Sequence, residues 1–279
     1  MACASKPTTH QVSLATTVPT KKQNIVPDYI QESGTTIESR FQLPDGFQRT
    51  SIPPNSFAQY LRTLPLKPHG AKVHYYDGNV KGNNGVYAAV VDIDVGKKDL
   101  QQCADAVMRL RAEYLYAQKR YQDIHFNFTN GFKVAYTKWK EGNRMAIEGN
   151  KTYWKANKAA PSTDYKSFRK YMELIFMYAG TLSLSKELKS VSFSDLQIGD
   201  IFIKGGSPGH AVIIVDMAEN PSTKEKIFLV AQSYMPAQDI QILQNPNNPN
   251  KGAWYTAQCT EHFYTPEWTF KCQDLKRFE

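Results

Sequence analysis

Three apolar runs lying close together in the last third of the chain constrain the fold more than any other stretch. Ile201–Ile203 and Ala211–Val215 are split by Gly205-Gly206-Ser207-Pro208-Gly209, and Ile227–Ala231 follows after a second polar turn. Short apolar runs bounded by turn residues read as strands, and the first two form a β-hairpin with a long tip. His210 stands where the chain leaves that tip and enters the second strand, and Gln232 and Ser233 end the third. Three neighbouring strands bring His210 within reach of a polar side chain from Gln232 or Ser233. A nucleophile opposite them would complete a site, and Cys103 is the candidate.

The rest of the chain supplies helices and shorter strands. Ser56 is placed to cap a helix in which Phe57, Tyr60, Leu61 and Leu64 fall at helical spacing, and Pro65 stops it. Val73–Tyr76 and Val86–Ile93 are predicted strands; the second is a nearly continuous apolar run, as in a strand buried on both faces. Asp99 is placed to cap a long helix over Leu100–Arg120, with Leu100, Cys103, Ala104, Val107, Leu110, Tyr114 and Leu115 as its apolar stripe. Residues 133–160 are aromatic and basic and read as an irregular or helical insertion. Tyr165–Gly180 is a predicted helix with Phe168, Tyr171, Met172, Ile175, Phe176 and Ala179 on one face and Gly180 as its cap. Residues 253–279 carry Trp254, Tyr255, Tyr264, Trp268 and Phe270 and return to the core as an edge strand or extended tail. The expected organisation is a flexible polar leader over 1–35 and a single α+β domain over 36–279, with an insertion at about 120–190.

Composition narrows the function. Lys+Arg 34 against Asp+Glu 26 gives a net charge of +8 over 279 residues, but the surplus is scattered and no nucleic-acid-binding motif accompanies it. A nucleic-acid partner is therefore not expected. No run approaches the roughly 18–20 apolar residues of a membrane span, and no apolar signal region is present. Ala2-Cys3 followed by a polar tether resembles the start of a mature bacterial lipoprotein, so a lipid on Cys3 is the one membrane link foreseen. Cys259 and Cys272 are close enough in sequence to pair in an oxidising compartment. With no CxxC or HExxH spacing, neither a metal nor a cofactor is expected.

Cys103 falls in the first turn of its helix, where unpaired N–H groups and the helix dipole favour a thiolate. His210 is placed to act as its base, and Gln232 or Ser233 to hold the far ring nitrogen and fix the tautomer. Gln101 or Gln102, with the Cys103 N–H, would form an oxyanion hole. Candidate substrate contacts are Gln102, Ser233, Arg109, which suits bidentate carboxylate recognition, and Trp139, one of the aromatics at 136, 139, 153 and 154 that would line a sugar groove. Each has a plainer alternative. Cys103 lies on an apolar stripe, where free cysteines are mostly packing residues. Arg109 is spaced to pair with Glu113 on a helix surface, and aromatics pack an insertion more often than they bind sugar. Asp92 and Asp94 alternate on one strand face, but no acid–base partner for glycoside hydrolysis accompanies them.

Leu196–Ile203 (LQIGDIFI) followed by Gly209–Val215 (GHAVIIV) resembles the strand pair of the NlpC-type and CHAP-type cell-wall peptidases. In that family a leucine and Gly-Asp precede an apolar strand, and the catalytic histidine starts the next. The resemblance implies a papain-like α+β fold, a helix packed on an antiparallel sheet, that cleaves amide bonds in peptidoglycan stem peptides or cross-bridges. Carried over, Cys103 is the nucleophile, His210 the base and Gln232 the orienting residue. Two features depart from the pattern: Gln102-Cys103-Ala104 replaces the usual Asp-Cys-Ser/Gly, and Cys103 and His210 are 107 residues apart. The chain as a whole also resembles a bacterial family of unknown function, often secreted lipoproteins, on LRTLPLKPHG (61–70), CADAVMRLRAEYLY (103–116), FNFTNGF (126–132), YAGTLSL (178–184) and AQSYMPAQ (231–238). The expected function is a cysteine amidase or peptidase of the cell envelope acting on cell-wall peptide. The alternative is a non-catalytic glycan- or peptide-binding lipoprotein of the same fold.

Overall fold

The computed structural model describes residues 29–279, so the expectations for most of the leader and for Cys3 lie outside the described residues. In chain order, α1 (Ile37–Arg40), β1 (Gln48–Arg49), α2 (Phe57–Arg62) and β2 (Tyr87–Val90) precede the long α3 (Cys103–Ala117). The hairpin of β3 (His125–Asn127) and β4 (Lys133–Ala135), then α4 (Tyr136–Lys140), the hairpin of β5 (Arg144–Glu148) and β6 (Lys151–Lys155), α5 (Tyr165–Tyr178) and α6 (Thr181–Glu187) follow. The remaining strands are β7 (Lys189–Ser190), β8 (Ile201–Lys204), β9 (His210–Glu219), β10 (Lys226–Gln232), β11 (Gln241–Leu243), β12 (Tyr255–Thr256), β13 (His262–Tyr264), β14 (Thr269–Lys271) and β15 (Leu275–Arg277).

The three apolar runs become β8, β9 and β10, adjacent and antiparallel at the centre of a nine-stranded sheet of order β2-β11-β10-β9-β8-β15-β7, with β1 added on β9 and β12 on β10. Alternation along β9 divides the core. Ala211, Ile213 and Val215 pack with α3, while Val212 and Ile214 pack with Phe202, Phe228, Phe263 and Phe270 under the C-terminal segment. A strand buried on both faces needs no polar alternation, which is why the run is continuous. The Gly-Asp before β8 has its own cause. Gly199 has φ +96°, and a Cβ there would lie 3.1 Å from the Phe57 ring. Asp200 is fully buried and accepts hydrogen bonds from Gln197 N–H (2.8 Å) and from Arg277 Nε (2.6 Å), fastening β8 to the last strand. The molecule is α+β with a mostly antiparallel sheet.

Several boundaries differ from expectation. The segment before residue 36 is already part of the fold: Gln31 N–H donates to Arg40 C=O at 2.7 Å, and Leu66 N–H to Thr35 C=O at 2.8 Å. Residues 73–76 make only isolated bridges, His74 to Val80 and Tyr75 to Gln238. α3 begins at Cys103 because Asp99 is otherwise engaged, accepting from Ala237 N–H (2.7 Å) and Gln102 Nε2 (3.2 Å). Asp105 instead accepts from Gln102 N–H at 3.0 Å and closes the helix start.

The insertion is not helical throughout. β5 and β6 pair with Glu148 opposite Lys151 around Gly149-Asn150, a two-residue hairpin signal followed by alternating exposure along β6. The C-terminal segment runs further into the sheet than an edge tail, since β15 lies between β8 and β7. Cys259 and Cys272 form a disulfide that closes the base of the β13–β14 hairpin.

Candidate functional site

A cleft of about 630 Å³ is walled by the start of α3 (Gln102, Cys103, Asp105), the β8–β9 tip with His210, Thr181 of α6, Tyr234 and Trp268. The glycine-rich tip is what allows this wall. A Cβ at Gly205 would overlap Ser185 Oγ, one at Gly209 would overlap Thr181 Oγ1, and Thr181 Oγ1 donates to Gly206 C=O at 3.1 Å. The tip therefore lies flat on the start of α6, and His210 enters β9 at the edge of the cleft.

His210 is 2% exposed, and its Nε2 lies 2.7 Å from Oε1 of Gln232, itself 1% exposed. Gln232 Nε2 donates to Glu267 Oε2 at 2.6 Å, and Lys81 Nζ donates to the same oxygen at 2.7 Å. Tyr234, Trp268 and Phe270 surround the ring, with centroids 4.8, 5.3 and 5.8 Å away. Burial is the main force pushing His210 down to about 4; the Gln232 bond opposes it and the Lys81 charge adds to it.

Burial and the neighbouring Asp105 carboxylate push the Cys103 thiol up to about 11. The N–H groups of Ala104, Ala211 and Cys103 itself pull the other way, and the Ala211 contact sets the sulfur against the first residues of β9. Burial also pushes Asp105 up to about 8, and its Oδ1 is buried without a hydrogen-bond partner. Cys103 and His210 are thus both neutral at pH 7. Among the described residues no hydrogen bond joins the thiol to the ring. The site holds a thiol and an imidazole beside one cleft, not a stored thiolate–imidazolium pair.

The expected site residues divide. Cys103, His210 and Gln102 line the cleft, and Gln232 sits directly behind His210. Ser233 does not join them. It is fully buried, and its hydroxyl faces the carbonyls of Gln101 (3.0 Å) and Gln238 (2.8 Å), so it fastens the α3 start to the loop after β10. Arg109 is 2% exposed rather than on a helix surface. Its guanidinium donates to Gln101 Oε1 and Asp94 C=O and pairs with Glu113 at 3.3 Å. It lines, with Asp92 and Asp94, a separate cavity of about 680 Å³. Trp139 packs inside the insertion, where its Nε1 donates to Ser167 C=O at 3.0 Å and its ring lies 4.0 Å from the Arg144 guanidinium. Among the described residues no cluster of three or more metal-ligating side chains occurs, and no helix is long and apolar enough to cross a membrane.

Comparison with known families gives a match to a domain of unknown function (4846) over residues 37–277. The chain belongs to this family. The matched span runs from α1 to β15 and takes in every residue of the cleft. No curated protein and no solved structure matches the chain. Within the family domain, the residues that sequence reasoning missed are Lys81, Tyr234, Glu267, Trp268 and Asp105. Asp105 carried a readable signal, an acidic side chain at the third position of its helix. Lys81 and Glu267 carried none, since each acquires meaning only through contact with an element 186 residues away.

Proposed function

We propose that this protein is a cysteine amidase or peptidase of papain-like arrangement, acting on amide bonds of the kind found in cell-wall stem peptides. One observation carries this reading: a cysteine at a helix N-terminus and a histidine backed by a glutamine open onto the same cleft. The order nucleophile helix, histidine strand, orienting strand is that of the NlpC-type and CHAP-type pattern seen in LQIGDIFI and GHAVIIV. The disulfide supports an oxidising compartment, consistent with the cell envelope and with an N-terminal lipid on Cys3.

In this mechanism the Cys103 sulfur attacks the substrate carbonyl carbon as its proton passes to His210 Nδ1, in one coupled step because the resting pair is neutral. The Cys103 N–H and the Gln102 amide stabilise the oxyanion. The imidazolium then gives the proton to the departing amine, leaving a thioester. Water, deprotonated by His210, adds to the thioester; the acid is released and the thiol restored. The test is turnover of stem peptides followed by mass spectrometry. New carboxyl and amine termini should form with the native protein and vanish in Cys103→Ala. Equal turnover in both sinks the reading.

A second reading is a non-catalytic peptide- or glycan-binding module using the same cleft. The observation favouring it is the burial that pushes the thiol up and leaves it without a bond to His210. Peptide or glycan binding that is unchanged in Cys103→Ala, with no turnover in either protein, selects it.

A further inference from the structure

We infer that Glu267, held by Lys81, is a positioning residue that fixes the tautomer of His210 through the amide of Gln232. Its catalytic meaning rests on the reading above, but the tautomer itself does not. A glutamine amide can face either way, and nothing in Gln232 alone decides which end meets the histidine. A carboxylate only accepts, so Glu267 Oε2, 2.6 Å from Gln232 Nε2, takes the NH₂ end. The amide oxygen is then left facing His210 Nε2 at 2.7 Å, so that nitrogen must carry the proton. Nδ1 is left as an acceptor, and it makes no hydrogen bond within the described protein. Since the ring lines the cleft, the free lone pair belongs to the group that a base needs there.

The surroundings show how the carboxylate is held. Lys81 is almost fully buried, bonds Glu267 Oε2 at 2.7 Å and lies 5.6 Å from the Tyr234 ring centroid on the cleft wall. Glu267 sits in the tip of the β13–β14 hairpin, between Thr265 and Trp268. That tip is tightened by Thr265 N–H to Trp268 C=O (2.9 Å) and Trp268 N–H to Thr265 Oγ1 (3.1 Å). The Cys259–Cys272 disulfide closes the hairpin's other end. An ion pair with one fully and one partly buried member is a poor source of stability compared with apolar side chains of similar size. Its place at the end of a Lys–Glu–Gln–His chain is accounted for by the orientation it imposes.

The experiment is long-range ¹H–¹⁵N NMR on the full chain labelled at histidine nitrogens, with His210 assigned by its loss in His210→Asn. The native protein should show His210 as a single tautomer protonated at Nε2. Glu267→Asp, which still only accepts, should keep it. Glu267→Ala and Glu267→Leu, which remove the acceptor and free the Gln232 amide to turn, should show an added Nδ1-protonated population, approaching half if the two orientations become equal in energy. Circular dichroism of each variant checks that it is folded. A His210 that stays wholly Nε2-protonated in folded Glu267→Ala and Glu267→Leu overturns the inference, as does an Nδ1-protonated native ring.

Modification of Cys103 by a peptidyl vinyl sulfone separates this result from the function. If the peptidase reading holds, the rate should fall with the lost Nε2-protonated fraction, about twofold at equal populations. A tautomer shift with an unchanged rate supports the positioning role and counts against the peptidase reading alone.

Discussion

Asp105→Asn should stabilise the protein at neutral pH and make Cys103 easier to ionise. The carboxyl is held at about 8 against an ordinary value of 3.8, with burial as the main cause. The folded state therefore keeps a proton that the unfolded chain releases. This contribution is fully present below about pH 4 and is lost as pH rises from 4 to 8. At about 1.4 kcal/mol per unit, the loss between the unfolded value and pH 7 reaches about 4 kcal/mol. Asparagine keeps an oxygen to accept the Gln102 N–H, now made by Asp105 at 3.0 Å, and does not titrate. Urea unfolding of both proteins at pH 4, 5, 6, 7 and 8 measures the difference. The advantage of the variant over the native chain should grow by about 4 kcal/mol from pH 4 to pH 7 and level off above 8. Since Asp105 is one of the two causes raising the thiol, Cys103 in the variant should alkylate with a midpoint below about 11. A pH-independent stability difference, or a variant that loses ground as pH rises, refutes the reasoning.

Four other outcomes follow from the geometry. His210 is held at about 4, so the stability it contributes is present above about 6.5 and lost as pH falls toward 4, roughly 3 kcal/mol in all; His210→Asn should remove that slope from an acid unfolding series. Asp216, fully buried between Arg62 (2.6 Å) and Arg49 (2.8 Å), should cost about 3–5 kcal/mol in urea unfolding when changed to Ala, because Arg62 is left buried and uncompensated. Ser233→Ala should cost about 1–3 kcal/mol through its two carbonyl partners while leaving the His210 tautomer unchanged by NMR, as expected of a residue outside the cleft. Reducing Cys259–Cys272, which closes a loop of 13 residues in sequence separation, should lower stability by about 3 kcal/mol, read as a shift in the urea midpoint.

The centre of the fold was legible because its signals are local. The runs at 201–203, 211–215 and 227–231 are bounded by turn residues, and the glycine-rich tip could only be a connection, so β8, β9 and β10 fell where the pattern put them. α2 was legible through its cap at Ser56 and α5 through its apolar face; the Asp164 cap of α5 was not read, and Gly180, expected to end α5, stands instead at the start of α6. The start of α3 was misplaced because two aspartates compete there, and Asp99 is drawn off by Ala237, a residue of the distant loop after β10.

The bringing together of Cys103 and His210 at one cleft was legible from element order. The choice between Gln232 and Ser233 turns on strand alternation: adjacent residues point to opposite faces. Gln232 falls with Phe228 and Val230 on the side of β10 that His210 occupies on β9, and Ser233 falls on the other. Arg109 and Trp139 were misjudged because burial is a tertiary property. Arg109 reads as a surface residue until Gln101 and Asp94 close around it. The support behind Gln232 was illegible for the same reason, since Lys81 lies in the loop before β2 and Glu267 in a hairpin tip near the chain's end.

The most direct test of the central claim is the rate at which a peptidyl vinyl sulfone modifies Cys103 at pH 7 in the native protein and in His210→Ala, with the site read by mass spectrometry. If the Cys103–His210 pair does the chemistry, modification is specific to Cys103 and about tenfold or more slower without the histidine. Equal rates in the two proteins, or modification that avoids Cys103, would contradict the account and leave the cleft as a binding site alone.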